Sequence, residues 1–206
     1  MKFLHKKIKM YIEPKVESSY YVNNKGAHPS ENIPEYFYPE IGFKIYDIVR
    51  ELRPKVVVEF GVLNGYSTIS IAQALRDNGG GIIYAYDLWE QYTYKHSTQE
   101  TVRQNLAKHG LEEYVELRTM DFNNWCLSPD ECDLLHLDIS NDGNTIRQAF
   151  QATSCNILFE GGSEGRDECW WMKEFNKEPI NSVKELTGYK VVAPQFPSLS
   201  LITRHA

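Results

Sequence analysis

The chain has 206 residues, a formal net charge of −6, 42% hydrophobic and 24% charged residues. That is the profile of one soluble α/β domain with a full core and a short appendage. The acidic balance argues against a nucleic-acid backbone as partner, because phosphate binding wants a basic face, and no stretch reads as a membrane span.

Residues 1–40 read as an irregular N-terminal arm. "MKFLHKKIKM" is too interrupted by lysine for a signal-peptide core, and the tyrosine-, proline- and asparagine-rich stretch after it has no period. Tyr36, Phe37 and Tyr38 make the arm a candidate lid, against the plainer reading that such aromatics pack as core. Residues 41–206 form the domain. "IGFKIYDIVREL" has apolar residues at helical spacing, and Pro54 stops it.

Strands and helices then alternate. "KVVVEF" is an apolar run of the kind buried on both faces of a parallel sheet. "STISIAQALRDN" reads as a helix with Ser67 as N-cap, closed by three glycines. "IIYAYD" is the second strand. "STQETVRQNLAKHG" is a helix with "STQE" as capping box and Gly110 as stop. "YVELRT", "CDLLHLD" and "CNILFE" are three more strands, with "GNTIRQAFQAT" a helix before the last. "RDECWWMKEFNK" and "INSVKELTG" read as helical. "YKVVAP" and "LSLITR" lie too close for a crossover and should pair antiparallel. The sum is a doubly wound, mostly parallel seven-stranded sheet with a C-terminal antiparallel hairpin.

Ligands bind such sheets at the carboxyl ends of the strands. Here those ends carry Glu59, Asp87, Asp138 and Glu160, with Asp121 close after the third strand. One such acid can simply cap a helix or face solvent. A row of them suits a ligand with positive charge and hydroxyls, and suits a polyphosphate badly. The cysteines Cys126, Cys132, Cys155 and Cys169 form no CxxC pair, so reduced thiols in a cytoplasmic protein are expected, not a zinc site.

In order and spacing these features resemble the class I S-adenosylmethionine-dependent methyltransferases, a Rossmann-like family, over residues 55–206. "EFGVLNGYS" resembles the family's first motif. The resemblance implies that Gly61 and Gly65 admit the methionine part of the cofactor and that Glu59 orients its amino group. It also implies that Tyr66 and Ser67 offer helix N–H groups to its carboxylate. "YAYDLWE" resembles the second motif, with Asp87 on the ribose hydroxyls and Leu88 and Trp89 beside the adenine. "RTMDFNNW" is similar to the stretch holding the adenine edge, through Asp121 and Phe122.

"DLLHLDISNDG" resembles the fourth-strand motif of the small-molecule O-methyltransferase branch. Asp138 stands at its aspartate, where it would border the methyl, and Asn141 stands where that branch has a histidine. Metal-dependent members carry an acid after the fifth strand. Glu160 matches it and Gly161 cannot supply a second ligand, so a divalent metal such as Mg would rest on Asp138 and Glu160, completed by Asn141 or Asp142 and waters.

Transfer to an alcohol or phenol needs a nucleophile aligned with the methyl and its proton removed. Asp138 is the first candidate base and His96 the second, against a plain surface histidine; His136 reads as a satisfied core histidine. Of Trp170 and Trp171 one can border the acceptor, and Arg166 either binds an acidic substrate group or pairs with Asp167 or Glu168 on the surface. The expected activity is methyl transfer from S-adenosylmethionine to oxygen on a small acceptor such as a sugar or hydroxylated metabolite. No nucleic acid or membrane partner is expected, and homo-oligomers are compatible with it. Asn141 and Gly161 motivate a non-catalytic cofactor-binding subunit as the alternative. A nicotinamide-dependent oxidoreductase comes third, because the sheet alone does not choose the chemistry.

Overall fold

Helix α1 (Pro39–Leu52) leads into strand β1 (Val56–Phe60), and the chain then alternates as expected. The computed structural model describes residues 39–93, 96–139, 141–186, 188–195 and 197–204, with side chains from residue 41 onward. The arm aromatics Tyr36, Phe37 and Tyr38 of the candidate lid, with Tyr94 and Lys95, lie outside the described residues.

After β1 come α2 (Tyr66–Asp77), β2 (Ile82–Asp87), α3 (Gln99–Ala107), β3 (Val115–Thr119) and α4 (Phe122–Leu127). Then follow β4 (Leu134–Leu137), α5 (Gly143–Ala152), β5 (Asn156–Glu160), α6 (Glu164–Asp167), α7 (Trp170–Glu174), β6 (Lys190–Ala193) and β7 (Leu199–Ile202). The sheet order is β3-β2-β1-β4-β5-β7-β6. Strands β1 to β5 pair parallel, and β7 runs antiparallel between β5 and β6.

Alternation along the central strands splits the core in two. Val57, Ile83, Leu134 and Leu158 face α1, α2 and α3. Val58, Phe60, Leu135, Leu137, Ile157 and Phe159 face α4, α5 and the turns after residue 179. Helix α1 is pinned to α2 by Asn78, whose side chain donates to Val49 O at 2.9 Å and accepts from Arg50 at 2.9 Å. The four cysteines are free; Cys132 and Cys155 meet Sγ to Sγ at 3.2 Å, at the N-terminal ends of β4 and β5.

Four local expectations shift. The N-cap of α2 is Gly65, in the left-handed region, and Ser67 lies inside the helix. The cap of α3 is Thr98, whose side chain accepts from Thr101 N, one residue later than a box opening at Ser97 would place it. The stretch expected as one helix from Arg166 breaks at Cys169 into α6 and α7, and the next resolves into the 3-10 turns Ile180–Ser182 and Lys184–Leu186. Helix α4 is short enough to escape periodicity; Asp121 caps it by accepting from Asn123 N at 2.9 Å.

Candidate active site

The order of the sheet reverses between β1 and β4, the switch point at which doubly wound sheets open a crevice. Gly61 sits there with φ +91°, and a Cβ on it would stand 2.0 Å from the Asp138 carbonyl oxygen. The contact of two strand ends therefore demands this glycine, whatever ligand lies above. Gly65 (φ +85°) turns the chain into α2 under Val102 and is not on the cavity wall.

Above the switch point lies a cavity of about 690 Å³, a size suited to a nucleoside-bearing ligand and a small second molecule. Its β1–β3 half is walled by Phe60, Tyr86 and Phe122. Phe60 stacks on Tyr86 at 5.0 Å and meets Phe122 edge-on at 5.3 Å. A hub that sequence reasoning missed holds this wall: Asp130 accepts from Tyr86 Oη at 2.6 Å, Trp125 Nε1 at 2.8 Å and Arg118 Nη1 at 3.4 Å. Burial first, and Asp130 next, raise the Tyr86 phenol above its ordinary value. Nothing in the spacing of Tyr86, Arg118 and Asp130 announces the hub, because strand pairing and α4 bring them together.

Asp87 lines the same half. Its Oδ2 accepts from Val62 N and Leu63 N at 2.9 and 3.1 Å, and its Oδ1 from Leu88 N and Trp89 N at 2.7 and 3.2 Å. The carboxylate thus knits the turn after β1 to the turn after β2. Leu88, Asp121, Tyr66 and Ser67 also border the cavity. Trp89 does not: it is buried in the core, with its indole N–H donated to Arg118 O at 3.1 Å. Its expected place beside an adenine is therefore not where it stands.

Glu59 is fully buried and off the cavity wall, accepting from the Thr68 hydroxyl and facing His136 Nδ1 at 3.0 Å. His136 is paired, as expected of a core histidine, yet it also forms part of the wall. The two lie directly opposite on β1 and β4. Glu59 therefore lies behind His136, which separates it from the cavity.

The β4–β5 half carries a pair of acids and a buried cation. Asp138 opens onto the cavity. Its side chain is exposed to the cavity, yet the protein packed around it, and then the charge of the neighbouring Glu160 carboxyl, push it above the usual carboxylate range, a push that cavity water screens in part. Glu160 Oε1 accepts from Arg166 Nε at 3.0 Å. Arg166 is 2% exposed and stacks its guanidinium 4.0 Å over Trp171. The expected surface pairing with Asp167 or Glu168 is thus replaced by a buried pair with Glu160, since α6 turns its first residues back under β5. Of the two tryptophans Trp171 borders the cavity, while Trp170 is 61% exposed.

Asn141 is buried and donates from Nδ2 to Leu137 O and Glu160 O, both at 2.9 Å, tying the ends of β4 and β5. Asp142 caps α5 through Thr145 and pairs with Lys177 at 3.2 Å. Asp142 is committed to its cap and to Lys177, Asn141 is tied down through Nδ2 and keeps only its buried Oδ1 without a partner, Gly161 has no side chain, and a guanidinium already sits on Glu160. The donors around Asp138 and Glu160 do not suit a divalent ion, and among the described residues no three His, Cys, Asp or Glu cluster as a metal site. His96 is exposed on the loop before α3 and does not line the cavity.

Known proteins carry the same architecture. The sequence profile of the family described as "Methyltransferase domain" matches residues 58–162, just over half of the chain, from within β1 to the turn after β5. No curated protein sequence matches. Among solved structures, a methyltransferase from Geobacter sulfurreducens aligns at 18% identity over 94% of this chain and 98% of its own, TM-score 0.61. The O-methyltransferase from Bacillus cereus in complex with SAH aligns at 17% identity over 98% and 97%, TM-score 0.60. The O-methyltransferase TomG from Streptomyces achromogenes, in complex with SAM, aligns at 16% identity over 98% and 96%, TM-score 0.58. At these identities the likeness establishes the fold, and the profile establishes the lineage. With its acids at the ends of β1, β2, β4 and β5 and its glycine turn at the switch point, the chain belongs to the methyltransferase-domain family of class I, S-adenosylmethionine-dependent methyltransferases.

Proposed function

We propose that the protein transfers a methyl group from S-adenosylmethionine to an oxygen of a small, hydroxylated acceptor. The observation that carries this reading is the single cavity running from the aromatic wall of Phe60, Tyr86 and Phe122 to the acid pair Asp138 and Glu160. One end suits a nucleoside and the other a proton-bearing oxygen.

The cofactor supplies a methyl on a sulfonium, which already carries its leaving group. Phe122 and Leu88 are proposed to flank the adenine, with Asp121 at its edge. Asp87 is proposed for the ribose hydroxyls, which would displace or join its longer amide bonds from Leu63 and Trp89. The methionine end would lie along Gly61 and Val62, toward the first N–H groups of α2 at Tyr66 and Ser67. Gly65 shapes that turn from below.

The chain's remaining tasks are to align the acceptor oxygen and take its proton. Asp138 is the proposed base. A carboxylate whose affinity for protons is raised accepts one from a hydroxyl more readily than an ordinary surface acid. His96, on the outer loop, is set aside in favour of Asp138. Composition and free thiols support a cytoplasmic enzyme, and among the described residues no helix is long and apolar enough to cross a membrane.

Calorimetric titration with S-adenosylhomocysteine, alongside NADH, tests the cofactor. Saturable heat with the first and none with NADH is expected, and the reverse would overturn the reading. Cofactor turnover in the presence of an acceptor panel of catechols, phenols and sugars then separates an enzyme from a non-catalytic binder.

A further inference from the structure

The acid pair at the ends of β4 and β5 already has a cation. Arg166 lies on α6, one short turn beyond Glu160, and Ser163 sets the geometry by capping that turn through the Arg166 N–H. The guanidinium is then gripped on three sides. Nε donates to Glu160 Oε1 at 3.0 Å, Nη2 reaches Asn141 O at 3.4 Å, and Trp171 covers one face at 4.0 Å. Asn141 fixes the distance between the two strand ends through its bonds to Leu137 O and Glu160 O. Nη1 is covered and has no partner, so the group keeps unused donors beside the acids. Buried polar groups are nearly always satisfied, and Asn141 Oδ1 on the neighbouring strand end is likewise covered and without a partner, so the cluster around Arg166 keeps both a donor and an acceptor for a polar group that arrives with the ligand.

We propose that Arg166 is the fixed cation of the acceptor half, standing on Glu160 where a divalent ion would have to bind, so that the acceptor oxygen is oriented by a guanidinium and acid pair without a metal. This rests on the methyl-transfer reading only in calling that half the acceptor site. The charge count also narrows the acceptor's class. Arg166 is matched by Glu160 and the wall residue Lys177 by Asp142 at 3.2 Å, so among the described residues both cations of this half are matched by acids. An uncharged hydroxyl compound, resting on Trp171, fits better than a phosphate ester or a free carboxylate.

The test is metal binding, read without cofactor or acceptor. Wild-type protein, Arg166→Ala and Arg166→Lys are titrated with Mn²⁺, and the free aquo-ion is followed by electron paramagnetic resonance. Circular dichroism checks that each variant folds. Wild type and Arg166→Lys are expected to leave millimolar Mn²⁺ free. Arg166→Ala uncovers the two carboxylates and should bind one Mn²⁺ at least tenfold more tightly than wild type, an affinity lost again in Arg166→Ala/Glu160→Gln. If Arg166→Ala does not fold, Arg166→Met, which keeps the stem over Trp171, replaces it with the same expectation. A wild-type protein that takes up one Mn²⁺ and loses it in Glu160→Gln would overturn the proposal, as would a folded Arg166→Ala or Arg166→Met that gains no affinity. Because S-adenosylhomocysteine binding is measured separately, failure here leaves the cofactor reading standing, and failure there leaves the metal result readable.

Discussion

Both halves of the cavity are made of strand-end acids and aromatic rings, yet they differ in how the acids are satisfied. On the β1–β3 side Asp87 accepts four backbone N–H groups and Asp121 caps its own helix. On the β4–β5 side Asp138 lies beside another acid, Glu160, and unpartnered polar atoms remain on Asn141, Arg166 and Ser198. Backbone amides hold a carboxylate fixed in place. A second carboxyl beside it favours the protonated form and leaves it free to exchange. The first half is therefore built as a rigid seat, and the second as a place where a proton can move.

The largest break should come at the joint between the halves. Gly61→Ala puts a Cβ against the Asp138 carbonyl at 2.0 Å and strains a φ of +91°. A loss of about 3 kcal/mol or more is expected, seen as a Tm about 6–12 °C lower in a chain of this size. Next comes Asp138→Asn, which should lower turnover on any accepted substrate by about 100-fold or more. Its S-adenosylhomocysteine affinity should stay within about threefold of wild type, a difference too small to register as a lost contact. Equal losses in both would mean that the halves are not separate.

Asp87→Ala should show the opposite split. It removes four amide bonds that hold both turns, so S-adenosylhomocysteine binding should weaken by about 30-fold, roughly 2 kcal/mol. Asp87→Asn, which keeps one oxygen acceptor, should recover part of this. A smaller effect is on pH. Asp138 has a higher proton affinity folded than unfolded, so its contribution to stability is full below the ordinary carboxylate value and is lost as pH rises through the raised one. Asp138→Asn removes that loss. Its Tm should come closest to wild type below the ordinary carboxylate value and exceed it increasingly as pH rises, and a constant offset across pH would refute the assignment. The smallest effect is expected from His96→Ala, which sits off the wall. Turnover and binding should change by less than about twofold.

The fold was legible because its signals are periodic. Continuous apolar strands, glycine stops and alternating helices need only local counting, and the acids Glu59, Asp87, Asp138 and Glu160 stand out because each ends such a run. The wall of the cavity was less legible. Trp89 lies next to Leu88 in sequence, but a φ of +51° turns it into the core. His136 reads as core by pattern and is core, yet its partner is an acid on the neighbouring strand that no spacing reveals. Arg166 looked like a surface residue amid Asp167 and Glu168, and only the turn of α6 under β5 shows that its partner is Glu160. Pairings made across strands and layers belong to tertiary geometry, which a one-dimensional pattern does not hold.

The close approach of Gly61 to the Asp138 carbonyl has a mechanical consequence. No side chain separates the turn that would seat the methyl donor from the acid that would take the proton, so the gap between them is set by two strands in contact, with Asp138 N donating to Phe60 O at 2.9 Å. That contact works as a ruler. The residues around Arg166 and Trp171 can be exchanged to admit different acceptors while the reach from donor to acceptor stays the same length.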